Sequence, residues 1–256
     1  MVGTVYRPIK SDRFSQGFGE AKTCINQTTR KVVAKTPPTD VGVCPVGYVD
    51  LYKVALRMDG HSGEDWGAVR AEPVVFPVDI PVMEWIAQNH IDKDGGVGVD
   101  VFSLHPVPGL GYIKFRFWHL LKSSVYDGQI VKFGDVIGLG DSTGLSTKDH
   151  VHWSLKQTSE TTRIKFGELF RTKFGVTLNN TNGYYGALNF RLYFDFVNVW
   201  ANDVVKQRIA EAKADFPVEN KEVIAELEKQ VVVLTLRVKI ATLMKQLAEL
   251  LKGRKK

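Results

Sequence analysis

Residues 150–155 read HVHWSL and alternate between polar and apolar side chains at every step. A period of two is that of a β-strand, so the polar residues share one face and the apolar residues share the other. Both imidazoles, His150 and His152, therefore point into one space. The apolar face holds the strand against a core, and metal ligands need a rigid support of this kind. The alternative interpretation is a strand with an ordinary solvated polar face.

A further histidine lies in the sequence HSGEDW at residues 61–66. His61 and Asp65 are four residues apart, a spacing that points both to the same side of a strand or of one helical turn. Gly60 and Gly63 argue against a helix, so a strand or a loop that enters one is predicted. By itself, such a pair more often forms a surface hydrogen bond than a metal site.

Together, His61, Asp65 and one of His150 and His152 form a set of two imidazoles and one carboxylate. Such a set suits Zn²⁺ and leaves a fourth position for water, which is typical of catalytic rather than structural zinc. The other histidine of the pair would lie beside that water, close enough to move protons. A site of this composition makes hydrolysis accessible at neutral pH.

Three motifs follow one another along the chain: HSGEDW at 61–66, FRFWHL at 115–120 and DGQIVKFGDVIGLGDSTGLSTKDHVHW at 127–153. In these motifs the sequence resembles the M23 or LytM-type (lysostaphin-like) zinc metallopeptidases, which cut peptide bonds in bacterial cell walls. The resemblance covers about residues 8–158. It implies an antiparallel β-sheet groove of the LytM/M23 type, with the metal on its floor.

The resemblance also implies a role for each site residue. It makes His61, Asp65 and His152 the ligands of one zinc ion per chain. It makes His150 and His119 the catalytic pair, which activates water and stabilises the tetrahedral intermediate. The implied substrate is bacterial peptidoglycan.

The pattern around His119 leaves its role open. Strict alternation over residues 113–119 places His119 on the same face as Phe115 and Phe117, as expected of a buried structural histidine. An apolar pocket would also lower the pKa of an imidazole and keep it neutral for proton transfer. The catalytic role of His119 therefore depends on the resemblance.

Proline and glycine divide the chain into a turn-rich part and a helical part. Nine of the ten prolines lie in the first 108 residues, and no glycine lies between Gly186 and Gly253. Short β-branched and aromatic runs between turn signals predict β-structure, and the glycine-free remainder predicts helix. The predicted fold class is mainly β with a helical C-terminus. We expect a peptidase-like β-rich domain at 1–198, a connecting helix at 199–216 and an amphipathic tail at 217–256.

The tail carries apolar residues at heptad spacing, in two seams that are offset in phase: Ile224, Leu227, Val231, Leu234 and Val238, then Leu236, Ile240, Leu243, Leu247 and Leu250. Alternating gaps of three and four predict an amphipathic helix. Two arrangements fit: the helix folds back on its own domain, or it self-associates through residues 219–256 as a coiled coil. The separating Pro217 and the length favour the coiled coil.

The charge distribution argues against a nucleic-acid partner. The formal net charge is +6, of which residues 219–256 carry four, so the main body is nearly neutral. Its basic residues form no stripe interleaved with aromatics. The N-terminus lacks the apolar region of a signal peptide, and the apolar stretch at 231–251 carries too many charges to cross a bilayer. We expect no nucleic-acid partner, no signal peptide and no membrane span.

The predicted function is a zinc-dependent endopeptidase that hydrolyses peptide bonds of peptidoglycan stem peptides or cross-bridges. Lacking an export signal, it would be a phage-encoded lytic enzyme (endolysin) that acts on the bacterial cell wall after release by another route or from a virion. The alternatives are a non-catalytic LytM-like binding or regulatory module and a virion structural protein with a coiled-coil tail. Cys24 and Cys44 can form one disulfide bridge or none.

Overall fold

The structure, a computed structural model, describes residues 1–166 and 169–214. The chain divides into two compact units, Met1–Val205 and Lys206–Lys256. The predicted tail at 217–256, with both heptad seams, lies outside the described residues. Self-association through 219–256 therefore stays a prediction.

The described residues form mainly β-strands. In chain order these are β1 (Thr4–Arg7), β2 (Phe14–Gln16), β3 (Thr23–Ile25), β4 (Val32–Ala34), β5 (Val49–Asp50), β6 (Glu64–Gly67), β7 (Pro73–Val75), β8 (Val78–Asp79), β9 (Trp85–Ile91), β10 (Val97–Ser103), β11 (Ile113–Ser123), β12 (Ile130–Val131), β13 (Val136–Gly140), β14 (His150–Gln157), β15 (Thr162–Phe166), β16 (Leu169–Lys173), β17 (Ala187–Leu188) and β18 (Asp195–Trp200). The helical segments are a π-helix at Leu51–Leu56, a 3₁₀ turn at Phe190–Leu192 and helix α1 at Ala201–Ala214.

One large antiparallel sheet dominates the first unit. Its strands lie in the order β12-β9-β10-β11-β14-β6-β2, while β13 pairs with β11 and β7, and β17 pairs with β14. The smaller sheets have the orders β18-β1-β8, β15-β16 and β4-β3-β5. Within the first of these, β1 and β18 run parallel.

The central pair of strands, β11 and β14, has one face in the core. The register places Phe115 opposite Leu155 and Phe117 opposite Trp153, and all four side chains are fully buried. Trp153 also packs on Phe190, with ring centroids 4.3 Å apart. Truncating a buried aromatic of this size to alanine costs about 3–5 kcal/mol, so this face fixes the orientation of both strands.

The opposite face of the same two strands is polar. Its cross-strand pairs are Lys114 with Lys156, Arg116 with Ser154, and Trp118 with His152. Because side chains alternate along a strand, burying the aromatic side directs these residues away from the core. The alternation predicted for residues 150–155 is confirmed, and the polar face forms the floor of a groove.

A second, smaller core is formed by the β4-β3-β5 sheet and the π-helix that follows it. Ile25 from β3 packs with Leu51 and Tyr52 of the π-helix. Cys24, also on β3, is disulfide-bonded to Cys44, so of the two states that the sequence allowed the bridged one is present.

The predicted fold class, mainly β with antiparallel sheets and a helix after them, is confirmed. The connecting helix expected at 199–216 corresponds to α1 at Ala201–Ala214, and β18 continues across the expected boundary at residue 198. Within the described residues, no helix combines the length and the apolar character that a membrane crossing requires.

The disulfide gives a first prediction. The bridge closes a loop with a sequence separation of 20 residues. Opening a loop of this size is expected to lower the free energy of unfolding by about 3 kcal/mol. We expect this loss in the double variant Cys24→Ala/Cys44→Ala, measured by urea unfolding. Wild-type protein in excess reductant is the control and should match the variant. Equal stability of oxidised and reduced wild type would contradict a structural role for the bridge.

Candidate functional site

The antiparallel pairing of β6 with β14 places Asp65 directly opposite His152. His61 lies in the loop that enters β6, and its Nε2 is 3.1 Å from Asp65 Oδ1 and 2.7 Å from His152 Nδ1. His152 Nδ1 is 3.0 Å from the same carboxylate oxygen. One donor atom from each of the three residues therefore lies within 4.8 Å of the other two.

The glycine inside the HSGEDW motif is required by this approach of β6 to β14. A Cβ added to Gly63 would lie 2.2 Å from the Trp153 carbonyl oxygen and 2.8 Å from the imidazole of His152. Both distances are shorter than a real Cβ contact allows. A larger residue at 63 would therefore displace the strand that carries His152.

A backbone carbonyl orients the ring of His61. Its Nδ1 donates to the Gly17 carbonyl oxygen at 3.1 Å, which turns Nε2 toward Asp65 and His152. Tyr52 packs against the same ring at 5.6 Å between centroids. A ring nitrogen fixed by a carbonyl on its far side is the usual arrangement around a metal-binding imidazole.

The charges around Asp65 keep this carboxylate ionised. Burial raises the pKa of Asp65, but the neighbouring His61 and His150 outweigh burial and hold the pKa well below its ordinary value. Burial lowers the pKa of His152 to about 4, so this imidazole is neutral at pH 7. A neutral imidazole and an ionised carboxylate are the states in which these groups bind metal.

The donor set fits zinc. Two imidazole nitrogens and one carboxylate oxygen are ligands that Zn²⁺ takes, and three protein ligands are the number found in catalytic zinc sites. The three residues are buried or nearly so, which keeps competing water away from the donor atoms.

His119 lies in the groove and not on the apolar face that strict alternation gave it. Its φ angle is +64°, a left-handed conformation that non-glycine residues seldom adopt. At this residue β11 changes partner: Trp118 still pairs with His152, whereas Leu120 pairs with Gly140 of β13. An irregularity of this kind turns a side chain to the other face of a sheet.

The imidazoles of His119 and His150 lie side by side, with ring centroids 4.5 Å apart. His119 Nδ1 donates to the Thr143 carbonyl oxygen at 2.7 Å, and His150 Nδ1 donates to that of Lys148 at 2.7 Å. Each ring therefore keeps an Nε2 lone pair. His150 Nε2 lies 3.5 Å from Asp65 Oδ2. Burial, followed by the neighbouring His150, lowers the pKa of His119 to about 3.

All five site residues predicted from the sequence thus meet in one groove of about 580 Å³. The π-helix and β3 contribute Leu51, Tyr52 and Thr23 to its walls, and the loop before β14 contributes Leu145. The floor comes from β11 and β14. A groove of this size holds a short segment of extended peptide.

The floor continues past the histidines into a cluster of charges that the sequence analysis did not single out. Asp100 is buried on β10 and accepts from Lys114 Nζ at 2.8 Å and from Arg116 Nε and Nη2 at 2.7 Å each. Burial raises the pKa of Asp100, but Arg116 and Lys114 outweigh it and hold the pKa at about 2. Asp100 is therefore ionised and paired.

Lys156 is the third cation of this cluster. Its Nζ donates to the Tyr185 carbonyl oxygen at 2.8 Å, and 6% of the residue is exposed. Burial, followed by the charges of Arg116 and Lys114, lowers the pKa of Lys156 to about 7. Lys156 continues, two residues further along β14, the period-two pattern that assigns the polar residues of HVHWSL to one face.

Comparison with known proteins finds relatives in sequence, one of which is a metalloprotease. The chain is 35% identical over 102 residues to an uncharacterized metalloprotease of Haemophilus influenzae, and the match covers 40% of this chain. The chain spans 20% of the length of that relative. No family model matches the chain. The similarity to a metalloprotease agrees with the resemblance found in the motifs.

Structural comparison also finds similar solved structures, among them peptidases. Lysostaphin from Staphylococcus simulans has a TM-score of 0.40 and 17% identity, covering 73% of this chain and 54% of its own. LytU has a TM-score of 0.34 and 20% identity, covering 57% and 73%. A zinc-containing peptidase from Vibrio cholerae has a TM-score of 0.34 and 19% identity, covering 60% and 37%.

The buried Lys156 gives a prediction for stability against pH. Its pKa is about 7 in the folded protein and 10.5 ordinarily, so between these pH values the unfolded chain binds more protons. The free energy of unfolding of the wild type should therefore rise with pH through this window. Below the folded-state pKa of about 7, the destabilisation by the buried ammonium is fully present.

The variant Lys156→Met removes that cost. We expect its advantage over wild type in the free energy of unfolding to be largest near pH 6 and to shrink toward pH 9.5, these being about the limits of the window. Urea unfolding of both proteins at the two pH values measures it. Lys122→Met, at an exposed position of β11, is the control and should show no such trend. A difference that does not change with pH would contradict the assignment.

Proposed function

We propose that the β-rich part of this chain, residues 1–198, is a zinc-dependent endopeptidase that hydrolyses peptide bonds in peptidoglycan stem peptides or cross-bridges. The observation that carries the proposal is the convergence of His61 Nε2, His152 Nδ1 and an oxygen of Asp65 on one point of the groove floor. The resemblance of the three motifs to LytM-type peptidases supports the same activity and supplies the substrate class.

His61, Asp65 and His152 would hold one zinc ion per chain. Their charges leave the ion with about one net positive charge and an open fourth position, the arrangement of a hydrolytic site. When bound, zinc supplies Lewis acidity toward the scissile carbonyl and a source of hydroxide near neutral pH. The Gly17 carbonyl that orients His61, and the contact of Tyr52 with the same ring, keep the ligand in place.

His150 and His119 would move the protons. Both rings donate their Nδ1–H groups to backbone carbonyls, so both face the groove with an Nε2 that accepts a proton. The ring that takes a proton from the attacking water becomes a donor. It can then hydrogen-bond to the developing oxyanion or return the proton to the leaving amine. The low pKa of His119 keeps this imidazole neutral until that step.

The Cys24–Cys44 bridge supports action outside a reducing cytoplasm. Disulfides persist mainly in oxidising surroundings such as the cell surface and the extracellular medium. A cell-wall substrate is located there. The phage origin, the route of release and the self-association of the tail remain predictions from the sequence.

Substituting the four site histidines separates metal binding from proton transfer. We expect His61→Ala and His152→Ala to lose zinc, measured as metal per chain by mass spectrometry of the purified protein. His119→Ala and His150→Ala should keep one zinc per chain yet hydrolyse purified cell walls about 10²–10⁴-fold more slowly, because they lose a general acid or base.

His105→Ala is the matched control. His105 is exposed, pairs with Glu84 and lies outside the groove, so both zinc content and activity should be unchanged. Wall hydrolysis that is equal in native protein, chelated protein and His61→Ala would overturn the proposed function. Mass spectrometry of the digested walls identifies the bond that is cleaved.

A further inference from the structure

The groove floor beyond the histidines carries more positive than negative charge. Arg116 and Lys156 line the groove there, and Lys114 lies beside them on β11, opposite Lys156. Asp100 is the carboxylate that pairs with this cluster in the described part of the chain. Asp92 acts on Arg116 at longer range, but its Oδ1 already accepts from the backbone N–H groups of its own loop. The cluster therefore has positive charge without a matching anion.

Two of the three cations form ion pairs within the fold, whereas Lys156 does not. Lys114 and Arg116 both bind Asp100, whereas the described residues offer Lys156 Nζ one hydrogen bond, to the neutral carbonyl of Tyr185, and no carboxylate partner. Burying an ammonium without a carboxylate in contact costs stability, and the lowered pKa of Lys156 shows that the distant Asp100 does not offset that cost. The charge of Lys156 therefore contributes little to the stability of the fold. An anionic group of a bound ligand is the partner that remains for it.

A second, independent observation is the hydroxyl of Ser154. Ser154 is 1% exposed, lies two residues before Lys156 on the groove face of β14, and lines the groove. Its Oγ is buried and makes no hydrogen bond to any described residue. Buried hydroxyls seldom lack a partner, so an unpaired one at a groove floor indicates a polar group of the occupant. Arg116, directly opposite Ser154, uses two of its five N–H donors on Asp100.

The distances along β14 set where that group would lie. At a rise of about 3.3 Å per residue, Ser154 is about 7 Å and Lys156 about 13 Å along the strand from His152. An extended peptide in the groove rises by the same amount per residue. A group that reaches Ser154, Arg116 and Lys156 therefore belongs to a residue two to four positions from the bond held at the histidines.

We propose that Ser154, Arg116 and Lys156 form a subsite for a carboxylate of the peptide substrate, two to four residues from the cleaved bond. The subsite makes the protein select peptides whose carboxylate is free over those in which it is amidated. It rests on the proposed function for the position of the cleaved bond. The binding of an anionic peptide can be tested independently.

The test uses a synthetic peptidoglycan stem peptide labelled with fluorescein, in three forms: all carboxylates free, side-chain carboxylates amidated, and the terminal carboxylate amidated. Binding is measured by fluorescence anisotropy on the full chain carrying His150→Ala, so that peptide is not consumed. We expect the free form to bind about tenfold or more tightly than at least one amidated form, the strength of one charge-assisted hydrogen bond. The amidated form that loses affinity identifies the carboxylate as a side-chain or a terminal one.

Adding Lys156→Met should abolish this discrimination and Ser154→Ala should reduce it, while Lys122→Met, on the exposed surface of β11, should leave it unchanged. Equal affinity for the three forms, absence of binding by the folded chain, or a preference that survives Lys156→Met would overturn the subsite. Cleavage of the three peptides by wild type is measured alongside. Cleavage without discrimination rejects the subsite alone, and discrimination in binding without any cleavage rejects the endopeptidase alone.

Discussion

The pairing of β14 with β6 on one side and β11 on the other is the constraint on which the site depends. In this register both Asp65 of β6 and Trp118 of β11 lie opposite His152 of β14. The register is fixed because Trp153 and Leu155 are buried on the other face of β14. A slip of one residue would turn His152 into the core and Trp153 into the groove. The donor atoms are therefore held by hydrophobic packing that takes no part in their chemistry.

The groove is divided along β14 into two electrostatically different regions. At one end, imidazoles surround the ionised Asp65; at the other, cations surround the ionised Asp100. Each carboxylate is buried and each stays charged, because the groups around it outweigh the cost of burial. In the proposed peptidase the first region would perform the chemistry and the second would choose the peptide.

One wall of the groove comes from a part of the chain that contributes none of the proposed ligands. The β4-β3-β5 sheet, tied by its disulfide, places the π-helix so that Tyr52 contacts His61. Its β3–β4 turn also reaches the β9–β10 loop through a salt bridge between Arg30 and Asp94, at 2.8 Å. These contacts join two borders of the groove, so its width depends on long-range packing as well as on the sheet itself.

The sequence by itself determined the features that repeat over short distances. Period-two alternation gave the faces of residues 150–155, and the glycines around His61 excluded a helix there. The spacing left the choice between His150 and His152 open, and the resemblance of the motifs assigned His152 as the ligand. Only the tertiary structure decided the register that sets His152 opposite Asp65, that the two cysteines are bonded, and that His119 leaves its predicted face. Faces follow from local periodicity. Register, irregularities and the lowered pKa of Lys156 depend on residues far away in the chain, whose contacts no local pattern encodes.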